Sequence, residues 1–440
     1  MNLIYRNAEN EQLSRQLWMS RNKGSRLTLL SGVRGTGKTA LAVTSTKGTP
    51  RLYFKLSGRT DKALLTEFVD QVHDVLDVFV PNTVRTVRDL IGFLVGVSRT
   101  KPFTLILDGF DSFVSGDPDT ATVLRKKLDE LKEGGHLNLI VLTSSPDLTD
   151  ELFFQKDSPF RNKVDLSINL KPFTIDQIAE GLASQGKNLS SEDLLAFYMV
   201  TGGMPEYVSL LSSHSDLTKE GIYTKVFSEG SRFVKEGGSV LTALLGKNRE
   251  VYVSILHQIA MGNKSQRGIE SKIGGSNVGG HLMKLENDYG LIRKVRPLLA
   301  GPSSRNVVRY EIVDLSILFW LRYIGNNRLL VDCFEYDEIR RRALEDFPVL
   351  AKEVLKRCFA QRVLDQNPGI EVGGDWKSGQ SEEIDIVGVN RKSRSAILGA
   401  VEFSEADFDK KPFLTRVESL RKGLLRKYSI DSRLFTLDEL

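Results

Sequence analysis

The residues with the clearest chemistry form the run GVRGTGKT, from Gly32 to Thr39. Its glycines allow backbone N–H groups to turn inward around phosphate oxygens, Lys38 can neutralise β- and γ-phosphate charge, and the Thr39 hydroxyl can ligate Mg²⁺. The spacing G-x-x-x-x-G-K-[ST] therefore predicts a nucleoside triphosphate site. Its predicted binding residues are Gly32, Val33, Arg34, Gly35, Thr36, Gly37, Lys38, Thr39 and Ala40.

Such a loop needs a strand before it and a helix after it. The preceding RLTLLS is typical of a buried strand, and the following KTALAVTST is typical of the start of a helix. The alternative is an ordinary glycine-rich turn. The two flanking elements favour the phosphate-binding loop.

The Mg²⁺ ion at a phosphate site needs an acidic partner besides the Thr39 hydroxyl, and the segment KPFTLILDGFDSFV contains one. The apolar run 103–107 predicts a strand that ends in Asp108. An acid at the carboxyl end of a neighbouring parallel strand lies beside the phosphate site, so we expect Asp108 to hold Mg²⁺ through water. The next residue is Gly109, where many ATPases place a water-activating Glu. Asp111 is the nearest substitute; alternatively it is a helix N-cap or a solvated turn residue.

A third predicted strand, in HLNLIVLTSSPDL, ends in Thr143, Ser144 and Ser145. Their hydroxyls could contact a γ-phosphate or orient water, and Ser144 is the residue to which we assign this catalytic role. Hydroxyl side chains at this place also cap helices, which is the alternative.

These strands alternate with helical stretches such as DKALLTEFVDQVHDVL, and this alternation predicts an α/β core with a parallel sheet. No Asn-Lys-x-Asp sequence for guanine recognition occurs, which favours ATP over GTP. The predicted cofactors are therefore ATP and Mg²⁺.

Composition restricts the class of protein further. The chain has 440 residues, 40% hydrophobic and 27% charged, which is typical of a globular protein with two or three domains. No apolar run approaches the roughly 18 residues of a membrane helix, and the polar amino end is unlike a secretory signal. Cys333 and Cys358 are widely spaced, as in a reducing compartment. We expect a soluble cytoplasmic protein without a membrane partner.

The motifs together resemble archaeal-type P-loop ATPases of the AAA/STAND group. The similar segments are YRNAENEQLSRQL, DGFDSF, SPFRNKVDLSINLKPFT and TGGMPEYVSLL. The resemblance implies a P-loop NTPase core with a parallel sheet, then a helical and winged-helix region, then an α/β restriction-endonuclease-like domain. The implied domains are residues 1–175 (ATPase core), 176–245 (helical lid), 246–335 (winged helix) and 336–440 (nuclease-like domain).

The resemblance also assigns residues. Arg161 falls on a family arginine and would stabilise γ-phosphate charge, in cis or across a subunit boundary; otherwise it forms a surface salt bridge. Gly203 and Pro205 would lie near the nucleotide base. The predicted catalytic residues are Lys38, Asp108, Asp111, Ser144 and Arg161, and the predicted metal ligands are Thr39 and Asp108.

A basic stretch follows at 247–309, where eleven Lys and Arg residues occur with four acids, although the whole chain carries only +5. Three short predicted helices and a returning strand there indicate a winged helix-turn-helix. The basic residues near the predicted recognition helix are Lys264, Arg267, Lys272 and Lys284. We expect this region to bind DNA; alternatively it packs against the ATPase core or a protein partner.

The last segment resembles the PD-(D/E)xK nuclease pattern, in which Glu353, Asp385 and Glu402 would converge on Mg²⁺. Ser404 stands where that pattern has a lysine, and Lys377 or Lys392 are possible migrated replacements. We expect a weakened or inactive nuclease, and the domain serves alternatively as a nucleic-acid platform or structural support with its acids facing solvent.

The favoured hypothesis is a Mg²⁺-dependent ATPase that couples slow hydrolysis to DNA or a protein partner. One alternative is a STAND-like nucleotide switch with little turnover, which the glycine after Asp108 favours. The other is a DNA-binding or nuclease-like protein regulated by ATP.

Overall fold

The computed structural model describes residues 6–56, 60–131, 134–245, 249–275, 277–300, 308–376 and 383–440. The chain divides into two compact units, Met1–Pro172 and Phe173–Leu440. Within the described ranges, no helix has the length and apolar character needed to cross a membrane.

The first unit contains a five-stranded sheet in the order β2-β3-β4-β1-β5, and every pair of neighbours is parallel. The predicted parallel sheet is confirmed. Its strands are β1 (Arg26–Ser31), β2 (Arg51–Lys55), β3 (Phe103–Asp108), β4 (Leu137–Leu142) and β5 (Leu166–Asn169). Contrary to the expectation of a neighbouring strand, β3 does not pair with β1, because β4 lies between them.

Helices surround this sheet. They are α1 (Asn7–Lys23), α2 (Lys38–Ser45), α3 (Asp61–Leu76), α4 (Val87–Val97), α5 (Phe110–Gly116), α6 (Asp119–Glu130) and α7 (Pro146–Phe153). Successive residues of β1 enter different apolar clusters, since Leu29 packs with Phe54 whereas Leu30 packs with Leu41. Because side chains alternate along a strand, the sheet is buried on both faces, as a doubly wound fold requires.

The second unit begins with helices: α8 (Ile175–Ala183), α9 (Ser191–Thr201), α10 (Pro205–Ser212), α11 (Lys219–Val226) and α12 (Arg232–Leu245). Three further helices precede an antiparallel pair of strands; these elements are α13 (Arg249–Ala260), α14 (Gln266–Lys272), α15 (Gly279–Asn287), β6 (Ile292–Val295) and β7 (Arg309–Ile312). Each of the three helices buries apolar side chains, among them Ile255, Ile269 and Leu282.

The rest of the second unit forms a separate sheet. Three helices lead to it: α16 (Leu315–Tyr323), α17 (Arg328–Asp332) and α18 (Tyr336–Gln366). Its elements are β8 (Glu371–Asp375), β9 (Ile384–Asn390), β10 (Ser395–Glu402), α19 (Lys410–Lys422) and β11 (Ser429–Thr436). The strand order is β11-β10-β9-β8; β8 to β10 are antiparallel, and β11 returns parallel to β10 after α19.

Candidate nucleotide and magnesium site

The glycines of the loop between β1 and α2 adopt backbone conformations that other residues rarely take. Gly32, Gly35 and Gly37 have φ of 142°, 91° and 85°, and Gly37 caps the amino end of α2. A Cβ at Gly32 would lie 2.3 Å from the carbonyl oxygen of Leu170. The sequence thus folds into strand, glycine loop and helix, and the first N–H groups of a helix have no partner within the helix, so they can bind an anion.

Lys38 is the first residue of α2, and its side chain turns back into the loop. Its Nζ donates hydrogen bonds to the carbonyl oxygens of Gly32, at 2.6 Å, and Val33, at 2.9 Å. Burial lowers the pKa of Lys38 to about 8, although the nearby carboxylates of Asp108 and Asp111 act in the opposite direction. Two carbonyl dipoles compensate an ammonium only in part, so an anionic phosphate would be a better partner.

The two predicted metal ligands lie together. The Thr39 hydroxyl donates a hydrogen bond of 2.7 Å to Oδ2 of Asp108, which ends β3. In the described ranges no group of three His, Cys, Asp or Glu residues is placed to hold a metal. Two oxygen ligands nevertheless fit Mg²⁺, which keeps several waters and takes further ligands from substrate phosphates.

Tyr53, on β2, is a member of this site that the sequence analysis missed. Its hydroxyl donates to the same Oδ2 of Asp108 at 2.8 Å. Burial, and next the hydrogen bond to Asp108, raise the pKa of Tyr53 well above its ordinary value, so the hydroxyl stays protonated. Knowledge that β2 pairs with β3 would have indicated this contact. The sequence of one strand alone does not predict its pairing partner.

Asp111 lies in the first turn of α5, two residues after Gly109, the N-cap of that helix. Its exposed fraction is 2%. Its Oδ2 accepts hydrogen bonds from the backbone N–H groups of Ser144, at 2.8 Å, and Ser145, at 2.7 Å. This carboxylate thus holds the loop that follows β4. Ser145 caps α7 through its side chain, as the capping alternative expected. Catalytic roles for Asp111 and Ser144 stay predictions.

Thr143 is the hydroxyl residue closest to the end of β4. Its backbone N–H donates to the carbonyl of Leu30 on β1. The side chain is fully buried, and its Oγ1 has no hydrogen-bond partner among the described residues. A buried hydroxyl without a partner is uncommon and costs free energy, so Oγ1 has capacity for another polar group.

The remaining residues predicted to contact the nucleotide are Arg161, Gly203 and Pro205. Arg161 is exposed, and in the described part of the chain its side chain has neither a hydrogen bond nor an ion pair. Gly203 and Pro205 belong to the second unit, where a Cβ at Gly203 would lie 2.1 Å from the carbonyl oxygen of Phe173. Close packing alone therefore demands that glycine. The roles of Arg161, Gly203 and Pro205 at a nucleotide stay predictions.

The four basic residues predicted to bind DNA divide into two groups. Lys264 pairs with Glu353, with Nζ 2.9 Å from Oε2, so its charge is partly neutralised within the unit. Arg267, Lys272 and Lys284, on α14 and α15, are exposed. We call these last three residues the basic triplet, since their exposed charges are accessible to an anionic partner.

The three carboxylates expected at a nuclease-like centre each have a cationic partner. Glu353 contacts Lys264 and also Arg357, at 2.9 Å. Two lysines of α18, which the sequence analysis missed, neutralise the others: Lys356 lies 2.5 Å from Asp385, and Lys352 lies 2.6 Å from Glu402.

The expected convergence of Glu353, Asp385 and Glu402 on Mg²⁺ is not found among the described residues. Of the two lysines considered as replacements, Lys392 is exposed in the turn after β9, and Lys377 lies outside the described residues. The lysines that meet these acids come instead from a helix, four residues apart, as side chains on one helical face do.

Comparison with known proteins gives distant structural likenesses. No family model matches the chain, and no curated protein matches it. A Walker-type ATPase of Pyrococcus abyssi is 16% identical, with a TM-score of 0.49, covering 72% of this chain and 95% of its own. The ORC2 protein of Aeropyrum pernix, solved with ADPNP and ADP, is 14% identical, with a TM-score of 0.45, covering 74% and 94%.

A STAND protein of Pyrococcus horikoshii with a tetratricopeptide-repeat sensor is 17% identical, with a TM-score of 0.34; the match covers 79% of this chain and 47% of that protein. At TM-scores below 0.5, these likenesses add nothing to the assignment of a site. The nucleotide site is inferred from the loop, Lys38 and the contact between Thr39 and Asp108.

Proposed function

We propose that the chain is a Mg²⁺-dependent ATPase that hydrolyses ATP slowly. The observation that carries this proposal is the 2.7 Å contact between the Thr39 hydroxyl and Asp108, next to the buried ammonium of Lys38. A hydroxyl, a carboxylate and an ammonium at the amino end of one helix are the groups that an Mg²⁺-bound triphosphate needs.

Each group has a distinct task in this proposal. The N–H groups of the loop and of the first turn of α2 bind phosphate oxygens, and Lys38 exchanges its two carbonyl partners for the β- and γ-phosphates. Thr39 and Asp108 would hold Mg²⁺, which when bound draws charge from the phosphates. Thr143, whose buried hydroxyl lacks a described partner, would donate to the γ-phosphate or to the attacking water.

Slow turnover is proposed because a strong general base is missing from the expected place. Gly109 has no side chain, and Asp111 already accepts two backbone N–H groups. Its Oδ2 is thus engaged in holding the loop after β4 rather than a water molecule. The same observation favours the second candidate function, a switch that keeps ATP bound and rarely hydrolyses it. A turnover near the roughly 10⁻⁴ per second of an unassisted GTPase switch would favour that candidate.

Binding is the first test. A fluorescent ATP analogue with Mg²⁺ should bind the unaltered chain, and Lys38→Ala should weaken that binding by at least about 100-fold, because a charge-assisted contact to two phosphates is lost. Lys47→Ala, an exposed lysine just beyond α2, is the matched control and should bind normally. Equal affinity in Lys38→Ala and Lys47→Ala would contradict the proposal.

We further propose that α13 to α15 with β6 and β7 form a winged helix that binds DNA. The exposed basic triplet, Arg267, Lys272 and Lys284, supports this, since phosphate contacts dominate the affinity for DNA. Gel shifts with duplex DNA should weaken steeply with salt, and the triple alanine variant should show weaker binding and a flatter salt dependence. Affinity unchanged by salt or by the triple substitution would exclude phosphate-dominated binding.

For the C-terminal sheet we propose a nuclease-like scaffold that does not cleave. The ion pairs of Asp385 with Lys356 and of Glu402 with Lys352 support this, because they place ammonium groups where a metal would have to lie. Supercoiled plasmid with Mg²⁺ or Mn²⁺ should stay intact. Cleavage that Asp385→Ala abolishes would overturn this part of the proposal.

A further inference from the structure

We infer that Tyr53 is a positioning residue of the magnesium site and that it determines how tightly this site holds Mg²⁺ by fixing the carboxylate of Asp108. This inference rests on the proposed Mg²⁺-dependent nucleotide binding. The site was predicted from the glycine loop and from Asp108, and Tyr53 belongs to neither of them.

The geometry gives Tyr53 a direct hold on the metal ligand. Oδ2 of Asp108 accepts two hydroxyl hydrogen bonds, from Thr39 at 2.7 Å and from Tyr53 at 2.8 Å. Oδ1 accepts none from the described residues. With Oδ2 held from two sides, the carboxylate cannot rotate freely about its Cβ–Cγ bond, and Oδ1 stays available to Mg²⁺ or its water.

The two donors differ in what holds them. Thr39 belongs to the nucleotide-binding helix α2 and is itself a metal ligand in the proposed site. Tyr53 belongs to β2, which pairs with β3 in register, Lys55 opposite Asp108. Its ring packs in the apolar cluster that contains Leu41 and Ile106. A donor fixed by a strand and an apolar cluster keeps its place whether or not nucleotide is bound, as a supporting residue of a metal ligand must.

The chemistry of the phenol suits this task. An ordinary phenol hydroxyl is protonated in the neutral range, so it can donate a hydrogen bond to a carboxylate. Phenylalanine keeps the ring and its packing but removes the donor. Tyr53→Phe therefore isolates the hydrogen bond from the apolar contacts.

The test is a Mg²⁺ titration of fluorescent ATP analogue binding by the full chain. Tyr53→Phe should raise the Mg²⁺ concentration at half-maximal enhancement by about 3- to 10-fold, the range expected for the net contribution of one ordinary intramolecular hydrogen bond. Binding in EDTA should change by less than about twofold, and saturating Mg²⁺ should restore normal affinity, because the donor acts through the metal ligand alone.

The control is Tyr336→Phe, a partly exposed tyrosine of the second unit that should leave all three measurements unchanged. An unchanged Mg²⁺ requirement in Tyr53→Phe would overturn the inference. So would an equal loss of affinity with Mg²⁺ and with EDTA, which would indicate a merely structural role. If the unaltered chain bound nucleotide but showed no Mg²⁺ dependence, the magnesium site would fail together with this inference, whereas nucleotide binding would stand.

Discussion

Thr39 and Asp108 are 69 positions apart in the chain, yet the hydroxyl of one donates a 2.7 Å hydrogen bond to the carboxylate of the other. Thr39 lies in the first turn of α2, which follows β1, and Asp108 ends β3. The contact therefore requires that β4 join β1 and β3 in one sheet. It joins the glycine loop, which we propose binds phosphate, to the acid that would hold Mg²⁺.

Asp108→Asn should separate metal binding from nucleotide binding. The amide oxygen still accepts hydrogen bonds, but the negative charge that attracts Mg²⁺ is lost. We expect nucleotide affinity in Mg²⁺ to fall at least about 10-fold, while affinity in EDTA stays the same or rises through relief of charge repulsion with phosphate. Calorimetric titration with and without Mg²⁺ measures the two affinities. If Asp108→Asn and the unaltered chain bound Mg²⁺-nucleotide equally well, Asp108 would not be the proposed metal ligand.

Gly32→Ala should destabilise the first unit. The added Cβ would lie 2.3 Å from the Leu170 carbonyl oxygen, at a φ of 142° that other residues rarely adopt. Gly48→Ala is the matched control, because Gly48 also has positive φ, 78°, but open space around it. We expect Gly48→Ala to cost about 1 kcal/mol of unfolding free energy and Gly32→Ala at least about 2 kcal/mol more. Urea unfolding measures both, and similar losses would mean that backbone strain alone decides.

Asp111 can be tested by a pair of substitutions. Both backbone N–H groups bind its Oδ2, so Asp111→Asn can keep both hydrogen bonds through one amide oxygen, whereas Asp111→Ala loses them. We expect Asn to retain turnover within about threefold, and Ala to lose about 1–3 kcal/mol of stability together with activity. Steady-state ATP hydrolysis of the folded variants is the measurement. If Asp111→Asn were folded but as inactive as Asp111→Ala, the charge of Asp111 would take part in the reaction.

Acid should weaken the second unit through Glu311. Burial raises its pKa, but Arg357, Arg293 and Lys264 outweigh burial, and the net pKa lies below its ordinary value of 4.5. A lowered native pKa means that the charged form stabilises the fold above about pH 4.5 and that this contribution disappears as pH falls through the native pKa. Glu311→Gln should therefore cost roughly 0.5–1 kcal/mol at pH 7 and less near pH 3.

Chemical denaturation at the two pH values, followed by tryptophan fluorescence, compares Glu311→Gln with the unaltered chain. Glu405→Gln, at an exposed position after β10, controls for the loss of a surface charge. A difference between the proteins that grew toward low pH would reverse the sign of the argument for Glu311.

Much of the first unit could be predicted because its signals are local. The glycine spacing, the strand before it and the helix after it are adjacent in sequence, and they fold as adjacent elements. Asp108 was found for the same reason, as the polar residue that ends an apolar run. The parallel sheet followed from the alternation of strands and helices.

The remaining features depend on pairings between distant segments. Tyr53 reaches Asp108 only because β2 lies beside β3, and nothing in RLYFK states this. The expected replacement lysines were sought near Glu402 in sequence, whereas Lys352 and Lys356 reach the acids from α18, 50 and 29 positions away. Spacing along a chain does not reveal such partners, because tertiary packing selects them.

From the placement of β4 between β1 and β3 we expect a consequence for folding during synthesis. The ribosome delivers the loop first and Asp108 second, but residues 137–142 must enter the sheet before these two can meet across it. A nascent chain arrested ahead of that segment already contains Lys38, Thr39 and Asp108 but cannot yet bring them together. Affinity for nucleotide should therefore emerge late and abruptly during translation, once this last central strand has left the exit tunnel.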